Sequence, residues 1–133
     1  MSPAPAFFDT NIALYLLSAD LRKAARSEDL LSTGGTISVQ VLNEFVAVAR
    51  RKHQAPWDRV RAALDALCAV CQVAPLTLAV QQQAVRLAEV HGFSIYDATI
   101  LASAQAAGCD LIYTEDLQHG QRIGGVQVIN PYL

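Results

Sequence analysis

SIYDATILASAQAAGCDLIYTED, residues 94–116, holds a helix and a strand in direct succession. From Ser94 to Ala107 the run is rich in small and apolar helix formers, and Gly108 closes it. DLIYT, residues 110–114, then reads as a strand of branched and aromatic side chains. A helix that hands the chain straight to a strand is part of a crossover, and crossovers are what parallel strands require. The same alternation recurs on both sides of this stretch. The expected fold is therefore α/β, with a largely parallel central sheet and helices on both faces.

Working outward, PAFFD (residues 5–9) reads as a short strand, followed by a helix from Asn11 to Ser18 and another over residues 20–32, stopped by Gly34 and Gly35. Thr36–Val39 is the next strand. It opens the helix VQVLNEFVAVARRK, with Ser38 as N-cap. Pro56 begins a helix running through Cys71 at a favoured early position. A short VAPL strand, a helix from Leu78 to Val90 closed by Gly92, and a final strand in GVQVINPYL complete the reading. Nothing repeats and no linker separates the parts, so residues 1–133 are expected to form a single domain.

The 133 residues are 53% hydrophobic, enough for a substantial core. The start, MSPAPAFFDT, lacks the basic n-region and apolar h-region of a signal peptide. Charged residues interrupt every apolar run before the roughly 18 residues a membrane span needs. A cytoplasmic protein without membrane attachment is the expectation. Cys68, Cys71 and Cys109 form no disulfide framework, and the C-x-x-C of Cys68 and Cys71 has no second ligand pair, so all three are read as buried structural thiols.

Four acids stand out because each adjoins or interrupts an apolar run: Asp9 in AFFDTN, Glu44 in VLNEF, Asp97 in IYDATI and Asp116 in LIYTEDL. Sites in open parallel sheets form beyond the carboxyl ends of the strands. Asp9 ends the first strand and Asp116 lies one residue beyond LIYT. Glu44 falls within two turns of a helix start, and Asp97 within the first turn of its own. All four can meet at one mouth. Gathered carboxylates are costly without compensation, and a divalent cation is the simplest source of it. Singly, each acid also has a plainer explanation as a helix cap, a solvated helix residue or a turn former.

The net charge of −2 argues against a protein that coats nucleic acid. Basic residues nevertheless cluster, as Arg50, Arg51, Lys52, His53, Arg59 and Arg61, and as Arg22, Lys23 and Arg26. They read either as solvated helix faces or as a rim that tracks phosphates.

FDTN near the start, the Ser38, Gln40 and Glu44 run, the helical Asp97 and the T-E-D of LIYTED together resemble the PIN domain, and more narrowly the VapC-type toxins of bacterial toxin–antitoxin modules. The resemblance spans essentially the whole chain. It implies a three-layer α/β/α fold and a metal-dependent endoribonuclease using Mg²⁺ or Mn²⁺. It also implies a homodimer and silencing by a cognate antitoxin protein. Matched to this chain, the catalytic and metal-binding acids are Asp9, Glu44, Asp97 and Asp116, and the auxiliary polar residues are Asn11 and Thr114. Glu115 stands outside that core as a possible outer acid. Attack by water rather than by the RNA's own 2′-hydroxyl would leave 5′-phosphate and 3′-hydroxyl ends.

Three other readings compete. A two-component receiver would want paired acids early and a late lysine, but Asp9 stands alone and no lysine follows Lys52. A phosphatase for small substrates would be separated by its indifference to RNA. A catalytically silent PIN-like module that binds RNA or protein would be expected to have lost one of the four acids. For partner contacts, Leu16, Leu17, Leu30, Leu31, Phe45 and Trp57 are candidates for a groove that takes an amphipathic helix, though core packing is the commoner fate of such residues. His53 and His119 are candidate phosphate contacts or ordinary surface residues.

Overall fold

The computed structural model describes residues 6–133. In chain order the elements are β1 (Ala6–Phe8), α1 (Thr10–Leu14), a 3-10 turn (Tyr15–Leu17), α2 (Leu21–Ser32), β2 (Gly35–Ser38), α3 (Val39–Arg51), α4 (Trp57–Val70), β3 (Cys71–Ala74), α5 (Leu78–His91), α6 (Ile95–Ala106), β4 (Leu111–Tyr113), β5 (Arg122–Ile123) and β6 (Val126–Ile129). The strands form one sheet in the order β3-β2-β1-β4-β6-β5, parallel except for the β5–β6 pair. The expected α/β architecture with a largely parallel sheet is borne out.

The core follows from the side chains that the strands and helices turn inward. Phe7, Phe8, Ile37, Ile112 and Val128 are buried in the sheet, while Phe45, Leu87, Ile100 and Leu101 cover it from helices. α5 packs on α6, which itself lies on β2, β4 and β6; α1, α2, α3 and α4 pack among themselves and reach β2 and β3. Gly35 permits the close approach of β2 to β1, since a Cβ there would fall 2.5 Å from the Phe8 ring and 2.8 Å from the Ala6 carbonyl oxygen. No described helix is long and apolar enough to cross a membrane.

Several local expectations shift. α4 ends at Val70 and β3 starts at once at Cys71, so the strand lies earlier than VAPL. Pro56 is the N-cap of α4, in extended conformation, not a residue inside its first turn. The first helix stops at Leu14 and tightens into the 3-10 turn. The final run contains an additional strand: Arg122–Ile123 folds back on Val126–Ile129 across Gly124 and Gly125, both at positive φ, which is the backbone a two-residue hairpin loop needs. Pro5 of the first strand reading lies outside the described residues. Cys71 and Cys109 are buried thiols as expected, but Cys68 is exposed. α4 buries Val60 and Leu67, two turns apart on one face, and Cys68, about 100° further round, faces out.

Candidate active site

The strand order reverses between β1 and β4, where the chain steps one way to β2 and β3 and the other way to β6. A crevice opens at such a switch point, beyond the strand ends. β1 and β4 are hydrogen-bonded neighbours, with Phe8 opposite Tyr113. Asp9 and Thr114 are the next residues on each, and their side chains meet: the Thr114 hydroxyl donates to Asp9 Oδ2 at 2.8 Å. That hydroxyl also accepts from the Asp116 backbone N–H at 3.1 Å and from Asn11 Nδ2 at 3.2 Å. Asn11 Nδ2 lies 3.0 Å from Asp116 Oδ2 and 3.4 Å from Asp9 Oδ2. Asp9 Oδ1 accepts from Thr10 N at 2.6 Å as the N-cap of α1. Asn11 and Thr114 thus join the first and last acids into one unit.

Glu44 enters from α3. The Thr10 hydroxyl donates to its Oε2 at 2.6 Å, and Gln40 Nε2 donates to its Oε1 at 3.0 Å. Gln40 also donates to the Tyr96 carbonyl at 3.2 Å, tying α3 to the first turn of α6. Asp97 sits in that turn, three residues after its N-cap Ser94, whose hydroxyl accepts from Asp97 N at 3.1 Å. Among the described residues Ser94 is the one side chain that holds the Asp97 carboxylate. Asp9, Glu44, Asp97 and Asp116 all line one cleft of about 500 Å³, with Arg51 and Tyr96 at its wall. The convergence expected of the four acids is what the fold produces.

The electrostatics are those of acids gathered without a counter-ion. Burial pushes the Asp9 carboxyl up to about 7; hydrogen bonds from Thr114 and Thr10 N oppose this, and Asp116 and Glu44 add repulsion. Asp97 is raised first by burial and then by Asp116, against the pull of Ser94. Among the described residues no three His, Cys, Asp or Glu side chains already close around one point. The acids line a cleft and do not form a tight all-protein cage. This donor set suits a hard cation that keeps much of its water, as Mg²⁺ does with one or two direct carboxylates. Asn11 adds a further oxygen, since its Oδ1 is buried without a hydrogen-bond partner while its Nδ2 is fully used.

Residue reading does not single out Thr10, and Gln40 enters it only as part of the Ser38, Gln40 and Glu44 run, without a role; both hold Glu44 in the fold. Gln40 precedes Glu44 by four, one turn along the same helix face, which is a readable spacing. The Thr10 contact spans 34 residues and left no local signal. Glu115 turns away from the acids: its carboxylate takes the Tyr15 hydroxyl and Lys23 Nζ, the latter at 3.1 Å. The basic group on α2 is likewise spent internally, with Arg22 donating to the Tyr132 carbonyl and Arg26 to the Pro131 carbonyl. His119 accepts from Asn130 N at 3.0 Å and is absent from the cleft wall. Leu30, Leu31 and Phe45 are buried, whereas Leu16 and Trp57 are exposed. Leu16, Leu17, Leu31, Phe45, Leu67 and Val70 line an apolar groove of about 230 Å³.

A sequence profile described as PIN domain matches residues 6–122. No protein of curated function matches the chain. Among solved structures, a toxin–antitoxin complex from Klebsiella pneumoniae contains a chain 28% identical, with 96% of this chain and 98% of that one covered at a TM-score of 0.73. The sarcin–ricin loop cleaving toxin VapC20 of Mycobacterium tuberculosis is 24% identical over 84% of this chain and 89% of its own, at a TM-score of 0.66. DNA-bound VapBC from Salmonella typhimurium is 20% identical over 95% and 97%, also at 0.66. At those identities the last two bear on the fold alone.

Proposed function

This chain belongs to the PIN domain family, and we propose that it is a Mg²⁺- or Mn²⁺-dependent endoribonuclease, the toxin of a toxin–antitoxin pair, with Asp9, Glu44, Asp97 and Asp116 as its active-site acids. The observation that carries the reading is the linked set at the sheet's switch point. One hydroxyl, Thr114, and one amide, Asn11, bind the acids at the ends of β1 and β4, and Asp97 lines the same cleft. The likeness to a chain of the Klebsiella toxin–antitoxin complex supports the biological role.

Asp9 and Asp116 would hold the cation, with Asp97 and Glu44 facing it directly or through water, and Asn11 Oδ1 an acceptor for such a water. When bound, the cation polarises a phosphoryl oxygen and lowers the pKa of a bound water. The residues contribute orientation. Thr114 fixes Asp9 Oδ2, and Thr10 and Gln40 hold Glu44 from two sides, so neither carboxylate must search for its rotamer. Asp97, held at the start of α6 by Ser94 and lining the cleft, is placed to orient a water at the phosphorus and accept its proton. The apolar groove beside α2 and α4 suits an amphipathic helix of the antitoxin.

The test is cleavage of total cellular RNA by purified protein, with the new ends mapped. Activity should vanish in EDTA and return with Mg²⁺ or Mn²⁺, and Asp97→Asn should lower it by orders of magnitude with metal present. Ends carrying 5′-phosphate are expected. Cleavage that survives both EDTA and the substitution would remove the metal and Asp97 from the reaction.

A further inference from the structure

A second hollow, of about 480 Å³, adjoins the acid cleft and shares Asn11, Leu14 and Val48 with it. The two hollows are therefore continuous along Asn11, Leu14 and Val48, and a strand across the acids has room to continue into the second. The far wall carries Tyr15 and Glu115 on one side and Lys52 and His53, at the end of α3, on the other.

The charges facing this hollow differ from those of the acid cleft. Glu115 is already answered by the Tyr15 hydroxyl and by Lys23, whose Nζ also lies 2.9 Å from the Tyr15 oxygen. Lys52 and His53 have no acidic partner among the described residues. Their neighbour Arg50 is committed elsewhere, donating to the Ala55 carbonyl at 2.9 Å and stacking 4.6 Å from the Trp57 ring centroid. Those bonds, with Ala55 N donating to the Ala49 carbonyl, hold the turn that presents Lys52 and His53. Gln54, in that turn, adopts φ 50°, a left-handed conformation uncommon for a side-chain-bearing residue. Such backbone persists where its surroundings dictate it, and it often marks functional loops.

We propose that this hollow is the subsite for the nucleotide next to the scissile bond, with Lys52 and His53 donating to the phosphodiester that flanks the scissile one. The inference rests on the ribonuclease reading above. An anionic strand crossing four acids needs fixed cations nearby: Arg51 stands at the wall of the acid cleft itself, and Lys52 and His53 are the basic side chains of the adjoining hollow without an acidic partner among the described residues. The room available is that of a small-ligand pocket, enough for one nucleotide.

Binding and cleavage test this separately, using Lys52→Ala, His53→Ala and, as a control on α4, Arg61→Ala. In the Asp97→Asn background with Mg²⁺, a labelled single-stranded oligoribonucleotide should bind Lys52→Ala about tenfold more weakly, with the salt slope reduced by about one, and Arg61→Ala unchanged. In cleavage, Lys52→Ala should raise KM and preserve kcat. Making the flanking phosphate a neutral methylphosphonate should raise KM for the parent, raise it less for Lys52→Ala or His53→Ala, and add nothing once both are replaced. The subsite is overturned if Lys52→Ala and Arg61→Ala behave alike, or if the methylphosphonate and Lys52 penalties simply add. It is also overturned if inorganic phosphate displaces the oligonucleotide as readily as unlabelled RNA does. Lys52-dependent binding in a parent protein that cuts no RNA would support the hollow and sink the nuclease reading instead.

Discussion

Glu115 and Asp116 are adjacent in sequence and face opposite electrostatic surroundings. Glu115 points to α2, where its charge is answered inside the fold: Lys23 pairs with it and lies over the Tyr15 and Tyr132 rings, and Ser27 shares a buried hydrogen bond with the Tyr132 hydroxyl. Asp116 points to the cleft, where Asp9 and Asp97 repel it, the side chain bonded to its carboxylate is the neutral Asn11, and Arg51 stands at the wall without pairing with it. The same loop thus serves as a structural clamp on one side and as part of an uncompensated site on the other. Charge settled within the chain marks architecture; charge left unsettled marks where a ligand is expected.

The largest effect that could break this contrast is the pH dependence of metal-free stability. Asp9 has an ordinary value of 3.8 when unfolded and about 7 in the fold. Between those values the folded protein keeps a proton that the unfolded chain has lost. The stability that Asp9 contributes should therefore be fully present below about pH 4, fall as pH rises through the window, and be lost above about pH 7. A shift of this size corresponds to a few kcal/mol. Thermal unfolding in EDTA across that range should show the fall, Asp9→Asn should flatten it, and Mg²⁺ at neutral pH should restore the parent more than the variant. Equal slopes for parent and variant would mean that Asp9 is not the group under strain.

The next effect tests whether the neutral donors on the cleft side are functional or merely fill space. Thr114→Val keeps the shape and removes the hydroxyl that Asp9, Asn11 and the Asp116 backbone share. Cleavage is expected to fall about 10- to 100-fold, as for the loss of a group that orients metal ligands. More metal should be needed for half-maximal activity. A titration of rate against Mg²⁺ decides it: an unchanged midpoint with a lowered plateau would place Thr114 outside metal positioning.

How much of this contrast could be read from residues depends on the range of each interaction. The four acids were legible because strand ends and helix starts leave local marks: Asp9 closes an apolar run, and Ser94 with Asp97 forms a capping pattern. Asn11 and Thr114 came only with the family resemblance, and the structure adds their bonds. The Thr10–Glu44 contact and the turning away of Glu115 depend on elements 34 and 92 residues apart, which local pattern cannot pair. The β5 hairpin is a different case. Gly124–Gly125 before an alternating strand is a readable turn signal, obscured because β5 is only two residues long.

The smallest expected effect sharpens the boundary between the two sides. Glu115→Gln keeps the side-chain volume and removes the charge that Lys23 answers. The pair is partly exposed, so its loss should lower the melting temperature by a few degrees at most, and added salt should narrow the difference between parent and variant. Cleavage and its Mg²⁺ dependence should stay within about twofold, because no bond from Glu115 reaches Asp9, Asn11, Thr114 or Asp116. Melting curves in low and high salt, paired with cleavage rates, measure both halves. A folded Glu115→Gln protein with greatly reduced cleavage would show that the clamp on α2 sets the position of Asp116. The two sides of the loop would then be one mechanical unit, coupled through the backbone of residues 114–116.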